Sequence, residues 1–211
     1  METAIFTIVV LILSIIVHEV AHGYAAFTLG DPTAKLAGRL TLNPFPHIDL
    51  MGSVIIPGFL VLTNAGILFG WAKPVPYNPY NLKNQRWGEA IVGAAGVATN
   101  FFLAIVFALV ARFAAGTGFD AFVEPAMLIT FVNLFLGMFN LLPLPPLDGY
   151  TVLRSVLPAR QSLAFREFEE KLMRGGVLTL IVILFLFITF FAHPFFNLVQ
   201  LVFAFLVGAP L

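Results

Sequence analysis

The sequence contains no cysteine and few charged residues, and these two absences exclude several classes of protein. Without cysteine the chain can form neither a disulfide framework nor a thiolate metal site. Charged residues make up 10% of the chain, whereas soluble domains contain about 25%. The net charge is zero, so nothing in the composition indicates a nucleic-acid partner. The remaining composition, 60% hydrophobic with 24 phenylalanines, is typical of an integral membrane protein.

The first long apolar run extends over residues 4–29 and contains a group of ionisable residues. A helix of about 20 apolar residues spans a bilayer. Because the run lacks a basic region before it, we interpret it as a retained span rather than a cleaved signal peptide. Within it, His18 and His22 are four residues apart and therefore share one face of the helix, where both can bind the same metal ion.

Glu19 directly follows His18, and its carboxylate can reach a water molecule on a metal ion held by the two histidines. This spacing is typical of zinc sites in which the glutamate acts as general base. A lone histidine in an apolar helix is more often a buried structural residue. Here three ionisable groups occur together, and each costs about 2.5–3.5 kcal/mol to place in a membrane on insertion scales. The sequence therefore predicts a metal site.

A second polar stretch, Asn140 to Gly149, reads NLLPLPPLDG and cannot form a regular helix because it contains three prolines. Unwound backbone at membrane depth is tolerated only where it is buried or lines a cavity. Asp148 lies beside such backbone and is a natural third ligand for a metal ion that already has two histidines. The alternative interpretation is a polar turn at the membrane edge, with the Asp148 carboxylate solvated.

The apolar runs together predict an all-α fold, a polytopic bundle of transmembrane helices. The predicted elements are spans at 89–115 and 126–142, a surface helix at 158–174, and uncharged apolar segments at 177–191 and 195–207. Residues 35–42 favour a short edge strand, with an ordinary loop as the alternative. The run at 51–70 is interrupted by glycine, proline and asparagine, so it either crosses the membrane or enters and returns.

These residues resemble the site-2 proteases, a family of intramembrane zinc metalloproteases. The resemblance rests on His18-Glu19-x-x-His22 in the first span, and on Asn140-x-x-Pro143 followed by Leu147-Asp148-Gly149 in a later one. The family also has a Gly-Pro-x-x-Asn pattern, which reads Gly96-Val97-Ala98-Thr99-Asn100 in this sequence, without the proline. The resemblance covers residues 4–149, and the chain resembles a minimal form without PDZ or CBS domains.

The resemblance implies an endopeptidase that hydrolyses peptide bonds in or near membrane-spanning segments of other proteins. In that case His18, His22 and Asp148 bind one Zn²⁺ and leave a position open for water. Glu19 takes a proton from that water and later passes it to the leaving amine. A non-proteolytic metal-binding membrane protein or transporter is the competing interpretation. Such a protein has no need of a carboxylate between its two histidines.

The resemblance also assigns roles to other residues. Asn100 and Asn140 match family positions that steady the substrate or the developing oxyanion; hydrogen bonding between helices is the alternative role. The predicted strand at 35–42 would offer its edge to an unwound substrate. His47 and His193 match no family ligand and are left out of the predicted site.

The predicted site constrains the topology of the chain. His22 and Asp148 can share an ion only at similar depth, so the first span and the span ending near residue 142 must run in the same direction. The span at 89–115 supplies the one crossing between them, and the run at 51–70 should then not cross. With the N-terminus outside, every lysine and arginine except Arg112 lies inside, as the positive-inside rule favours.

We therefore expect one membrane-embedded domain over residues 1–211. Its catalytic core covers about 4–149, and residues 150–211 add the surface helix and a C-terminal helical hairpin. The expected location is a prokaryotic cell membrane, with the lipid bilayer and a membrane-spanning protein substrate as partners and the site towards the cytoplasm. The sequence leaves the oligomeric state open.

Overall fold

The structure of the chain, a computed structural model, describes residues 2–63 and 71–208, and of residues 2–4, 54, 57, 60 and 61 it describes the backbone alone. Within these ranges the chain forms helices, turns and extended loops, and no strand is present. The predicted all-α fold is confirmed. The α-helices are α1 (Glu2–Thr28), α2 (Thr33–Leu36), α3 (Ile56–Leu62), α4 (Gly88–Ala114), α5 (Val123–Asn140), α6 (Asp148–Val156), α7 (Ala159–Met173), α8 (Gly176–Phe190) and α9 (Ala192–Val207).

Helices α1, α4 and α5 form the core of the described structure. Each is long and apolar enough to cross a membrane. Small residues of α4 are buried at the contacts, among them Gly93, Gly96, Ala104 and Ala108. Small side chains allow helix backbones to approach closely where lipid removes the hydrophobic driving force. The sequence of α4 therefore favours tight packing against its two neighbours.

The relative directions of these helices follow from cross-helix contacts. His22 contacts the backbone of Val92 while His18 contacts Asn100, so α1 and α4 run antiparallel. Ser14 contacts Asn133, and His18 contacts Asp148 beyond the end of α5, so α1 and α5 run in the same direction. This is the arrangement that the predicted metal site required.

The segment predicted as crossing or re-entrant begins with a π-helical turn, Leu50–Ile55, followed by α3. Trp71 N donates to Gly52 O at 3.1 Å, and Ser53 Oγ donates to Trp71 O at 2.8 Å. Residues 64–70 of the predicted run lie outside the described residues. Because residues 52 and 53 are hydrogen-bonded to Trp71, the two ends of the segment lie at the same depth along the helix bundle. This agrees with the prediction that the segment does not cross.

The edge strand predicted at residues 35–42 is wrong. Residues 33–36 form α2, which begins where the Asp31 carboxylate accepts hydrogen bonds from Thr33 N and Oγ1. The helix ends at Leu36, and the chain turns away at Gly38, whose φ of 66° is accessible to glycine at little cost. Leu36 and Leu42, which set the strand pattern, are 82% and 60% exposed. Their alternation thus reflects turns of the chain rather than one buried face.

The C-terminal third contains the predicted surface helix, which is confirmed as α7. None of the described residues of α7 is buried. Between α7 and α8 the chain bends by 106°. Helices α8 and α9 cover the two predicted apolar segments, and Phe187, Phe195 and Val199 pack them onto Ala104 and Leu134 of the core.

Candidate metal centre

Three of the predicted ligands meet at one point between α1 and the start of α6. Nε2 of His18 lies 3.0 Å from Nε2 of His22 and 3.0 Å from Oδ2 of Asp148. Nε2 of His22 lies 3.3 Å from the same carboxylate oxygen. The histidines face one side because they are four residues apart on α1. Asp148 reaches them because the turn at 141–147, with a cis peptide between Pro145 and Pro146, ends at the first residue of α6.

The opposite nitrogen of each histidine ring is held by an acceptor. Nδ1 of His22 lies 2.7 Å from the carbonyl oxygen of Val92, and Nδ1 of His18 lies 2.5 Å from Oδ1 of Asn100. An oxygen acceptor requires a proton on Nδ1, so in the neutral rings each Nε2 carries a lone pair. Fixing a ligand histidine through its second nitrogen is typical of protein metal sites.

The cluster fits a divalent cation. The two Nε2 lone pairs and the carboxylate oxygen point at one another, and Oδ2 of Asp148 is buried without a hydrogen-bond donor. Three convergent acceptors without a proton repel each other unless a cation lies between them. Ligands of a tetrahedral Zn²⁺ at about 2.0–2.1 Å are about 3.3 Å apart. The observed separations of 3.0–3.3 Å match that spacing.

Two glycines make room for the cluster. A Cβ on Gly96 of α4 would overlap Nε2 of His22 and Cε1 of His18, so only glycine lets α4 pass this close to the ligands. A Cβ on Gly149 would overlap the carbonyl oxygen of Leu141. The glycines of the two quoted motifs are therefore positions where the backbone must approach another group.

Glu19 lies beside the cluster, half-buried, and is held by an extended loop. The N–H of Val75 donates to Oε2 of Glu19 at 2.8 Å. Val75 stands between Pro74 and Pro76, which have no N–H and favour extended backbone. The loop over residues 71–78 thus offers one backbone donor at its centre, and that donor binds the Glu19 carboxylate.

Two buried charged groups fix this loop. The guanidinium of Arg39 donates to the carbonyl oxygens of Lys73 and Pro74. The carboxylate of Asp31, fully buried, accepts from the N–H of Asn78 at 2.6 Å and from the side chain of Asn81 at 2.8 Å. Burial acts to raise the pKa of Asp31, but its hydrogen bonds outweigh burial and lower that pKa below the usual value.

The two predicted asparagines have different surroundings. Asn100 is fully buried, with Oδ1 on His18 and Nδ2 on Asn133. Asn100 thus contacts a candidate ligand. Its two hydrogen bonds also join α4 to α1 and to α5, which is the alternative role of hydrogen bonding between helices. Nδ2 of Asn140 donates to Leu136 O of its own helix at 3.0 Å, and among the described residues no hydrogen bond joins Asn140 to the cluster. His47 Nε2 lies 2.9 Å from Thr41 O, and His193 Nδ1 lies 3.2 Å from Nδ2 of Asn197.

Sequence reasoning missed two groups of residues around the site. Asn133 and Ser14 extend the contacts of Asn100, and Ser14 could have been noticed because it precedes His18 by one helical turn. An ion cluster also links α4, α6 and α7: Glu89 binds Arg154 at 2.7 Å and Arg166 at 2.6 Å. No spacing rule pairs residues this far apart in the sequence.

Comparison with known proteins places this chain in a family. The sequence profile described as Peptidase family M50 matches residues 115–183, which include Asp148 but not the two histidines. The chain is 42% identical to the Bacillus subtilis protein named "Putative zinc metalloprotease YwhC" over 163 residues, which are 72% of this chain and 69% of that protein. The chain belongs to peptidase family M50.

Two further relatives are more distant members of the same group. Proteins named "Putative zinc metalloprotease Rip2" from Mycolicibacterium smegmatis and Mycobacterium tuberculosis are 30% and 29% identical to this M50 chain. The matches cover 71% and 74% of the chain and 60% and 62% of those proteins. No solved structure matches. The chain is thus a member of family M50 whose relatives are named putative zinc metalloproteases, and Zn²⁺ is its expected cofactor.

Proposed function

We propose that this M50 protein is an intramembrane endopeptidase that hydrolyses peptide bonds in or near the membrane-spanning segments of other proteins. The observation that carries the proposal is the meeting of His18, His22 and Asp148 beside Glu19, inside a core of membrane-length helices. A site at this position reaches a substrate that is itself in the bilayer. A spanning helix hides its amide bonds in hydrogen bonds, so the substrate must unwind locally before water can attack.

His18, His22 and Asp148 would hold the Zn²⁺ ion. When bound, Zn²⁺ supplies Lewis-acid polarisation of the scissile carbonyl and acidifies the attacking water. Glu19 accepts a proton from that water and passes it to the leaving amine. The bond from Val75 N–H occupies Oε2 of Glu19 and so orients the carboxylate, leaving its second oxygen for proton transfer. Asn140 remains a candidate for steadying the substrate or the oxyanion.

The test is Glu19→Gln, which keeps the size of the side chain and removes the base. General acid–base catalysis contributes about 10²–10⁴-fold, so cleavage of co-expressed single-span proteins should fall by that factor while bound zinc stays constant. Glu124→Gln is the matched control, because Glu124 is exposed in the first turn of α5 and should retain full cleavage. Substantial proteolysis by purified Glu19→Gln would sink the mechanism. A wild-type protein that binds zinc but cleaves none of the co-expressed proteins would favour the metal-binding alternative.

The proposed orientation places the site towards the cytoplasm of a prokaryotic cell. Its support is the predicted distribution of lysine and arginine together with the antiparallel packing of α1 and α4. The chain has no cysteine, so single cysteines can be labelled cleanly. Tyr80→Cys and Phe119→Cys change side chains that are 78% and 62% exposed, before and after α4. An impermeant thiol reagent on intact cells should label only the variant at 119; the reverse pattern contradicts the orientation.

A further inference from the structure

Four buried polar side chains form a ring through the three core helices. His18 Nδ1 contacts Asn100 Oδ1 at 2.5 Å, and Asn100 Nδ2 donates to Asn133 Oδ1 at 2.9 Å. Asn133 Nδ2 donates to Ser14 Oγ at 3.0 Å. Ser14 and His18 are one turn apart on α1, so the ring leaves α1, passes through α4 and α5, and returns. All four side chains are at most 6% exposed.

One backbone carbonyl sets the direction of every bond in this ring. Nδ2 of Asn133 also donates to Ile129 O at 3.0 Å. A carbonyl oxygen can only accept, so the amide nitrogen of Asn133 must face Ile129 and its Oδ1 must face Asn100. Asn100 must then present its own nitrogen to Asn133 and its oxygen to His18.

The tautomer of His18 follows from that orientation. The Asn100 oxygen requires a proton on His18 Nδ1, which leaves the lone pair on Nε2, facing His22 and Asp148. If the Asn100 amide turned over, its nitrogen would face Nδ1. The proton of the neutral ring would then move to Nε2, where it blocks metal binding.

We infer that Asn133 is a positioning residue that fixes the metal-binding tautomer of His18 through the Asn100 amide. The inference rests on the proposed zinc site. Asn133 contacts none of the three candidate ligands, so it acts only through another side chain. Removing partners of ligand histidines costs metal affinity about 10–100-fold, and a partner one step further out belongs at the lower end of that range.

Thr130 provides a matched control on the same helix. It is fully buried and lies one turn before Asn133, but its hydroxyl donates to Ala126 O of its own helix at 2.9 Å. Thr130→Val therefore removes one buried hydrogen bond of α5 without touching the ring. If Asn133→Leu lowers metal affinity and Thr130→Val does not, the loss comes from the broken ring of hydrogen bonds and not from a weakened α5 helix.

The experiment measures Zn²⁺ affinity of purified protein in detergent by chelator competition, without a protease assay. Asn133→Leu should bind Zn²⁺ about ten-fold more weakly than the wild type, and Thr130→Val should bind within about three-fold of it. Ser14→Ala should have little effect, because Ile129 O still orients Asn133. In the Asn100→Leu background, Asn133→Leu should add nothing further, since the connection to His18 is already broken. Equal affinity of folded Asn133→Leu and wild type overturns the inference, as does an unchanged Asn133 effect in that background.

A second measurement needs no variant and covers the case in which Asn133→Leu fails to fold. The chain has four histidines, so ¹⁵N-histidine NMR of the zinc-free wild type can resolve His18 after assignment with His18→Ala. The resonance should report a proton on Nδ1, where the Asn100 oxygen accepts it. A His18 ring without a proton on Nδ1 overturns the inference whatever the variants do. If the tautomer is as expected but the wild type binds no Zn²⁺, the proposed function is wrong, while the effect of the ring on the His18 tautomer still holds.

Discussion

Two regions of the molecule are held together by different kinds of contact. Around the candidate metal centre, which we call the polar region, α1, α4, α5 and α6 are joined by directional bonds between buried polar groups, such as His18 with Asn100 and His22 with the Val92 carbonyl. At the C-terminal side, in what we call the aromatic region, α8 and α9 are joined to the core by aromatic rings. Phe195 packs edge-to-face against Phe135 and Phe187, with ring centroids 5.6 and 5.5 Å apart.

These two kinds of contact specify the positions of side chains to different degrees. Lipid tails are as apolar as phenylalanine, so burial against lipid or against protein differs mainly in packing. Apolar contacts therefore tolerate small shifts, whereas a hydrogen bond between buried groups fails when its atoms move apart. The candidate ligands lie where directional bonds are concentrated, and α8 and α9 contribute packing around that region.

We expect the largest loss of Zn²⁺ affinity from a substitution at the candidate metal centre of the polar region. Asp148→Ala removes the buried oxygen that lies near both histidines. Because Asp148 is itself a candidate ligand, Zn²⁺ affinity should fall by more than about 100-fold, the upper limit for losing an outer-shell partner. The helix that carries it should stay in place, because Arg154 of α6 remains bound to Glu89 of α4. Affinity is measured by chelator competition on purified protein.

His193→Ala is the control from the aromatic region. His193 lies on α9 beside Asn197 and should retain wild-type zinc affinity. Unchanged metal content in Asp148→Ala together with loss in His193→Ala would show that the third ligand has been misassigned. Loss in both variants would show that the two regions are not separable.

The sequence predicted the elements that obey a local rule. His18, Glu19 and His22 follow the helical period, and the prolines after Asn140 force the turn that delivers Asp148. The spans could be predicted from length and apolarity because a membrane leaves few alternatives. These parts of the fold and of the candidate site needed no knowledge of which helices touch.

The sequence could not predict the contacts that join distant segments. The strand at 35–42 failed because its apolar alternation was also compatible with turns, and the decisive contacts of Asp31 and Arg39 lie on a loop more than 30 residues away. Asn133 carried no signal except polarity within an apolar run. Its partner on α4 is set by helix packing, which no local pattern specifies.

The smaller expected effect comes from breaking the aromatic region. Phe195 is 8% exposed and touches Phe135, Phe139 and Phe187. Truncating a buried phenylalanine to alanine in a water-soluble core costs about 3–5 kcal/mol. In a membrane protein the transfer part of that cost is reduced because lipid is also apolar, so Phe195→Ala should lower stability by about 2 kcal/mol. The measurement is reversible unfolding in detergent, followed by tryptophan fluorescence.

Phe205→Ala on the same helix is the control that distinguishes the loss of a packed ring from the loss of any phenylalanine. Phe205 is 76% exposed, so its removal leaves no cavity and should change stability by less than about 0.5 kcal/mol. Zinc affinity should also be measured in folded Phe195→Ala and Phe205→Ala, because this shows whether the aromatic region affects the polar region. If α8 and α9 act only as packing, Phe195→Ala loses stability but keeps the wild-type affinity, because no bond of the polar region passes through Phe195. A fall in zinc affinity that parallels the loss of stability would instead mean that aromatic packing sets the position of α5, and through Asn133 the orientation of His18.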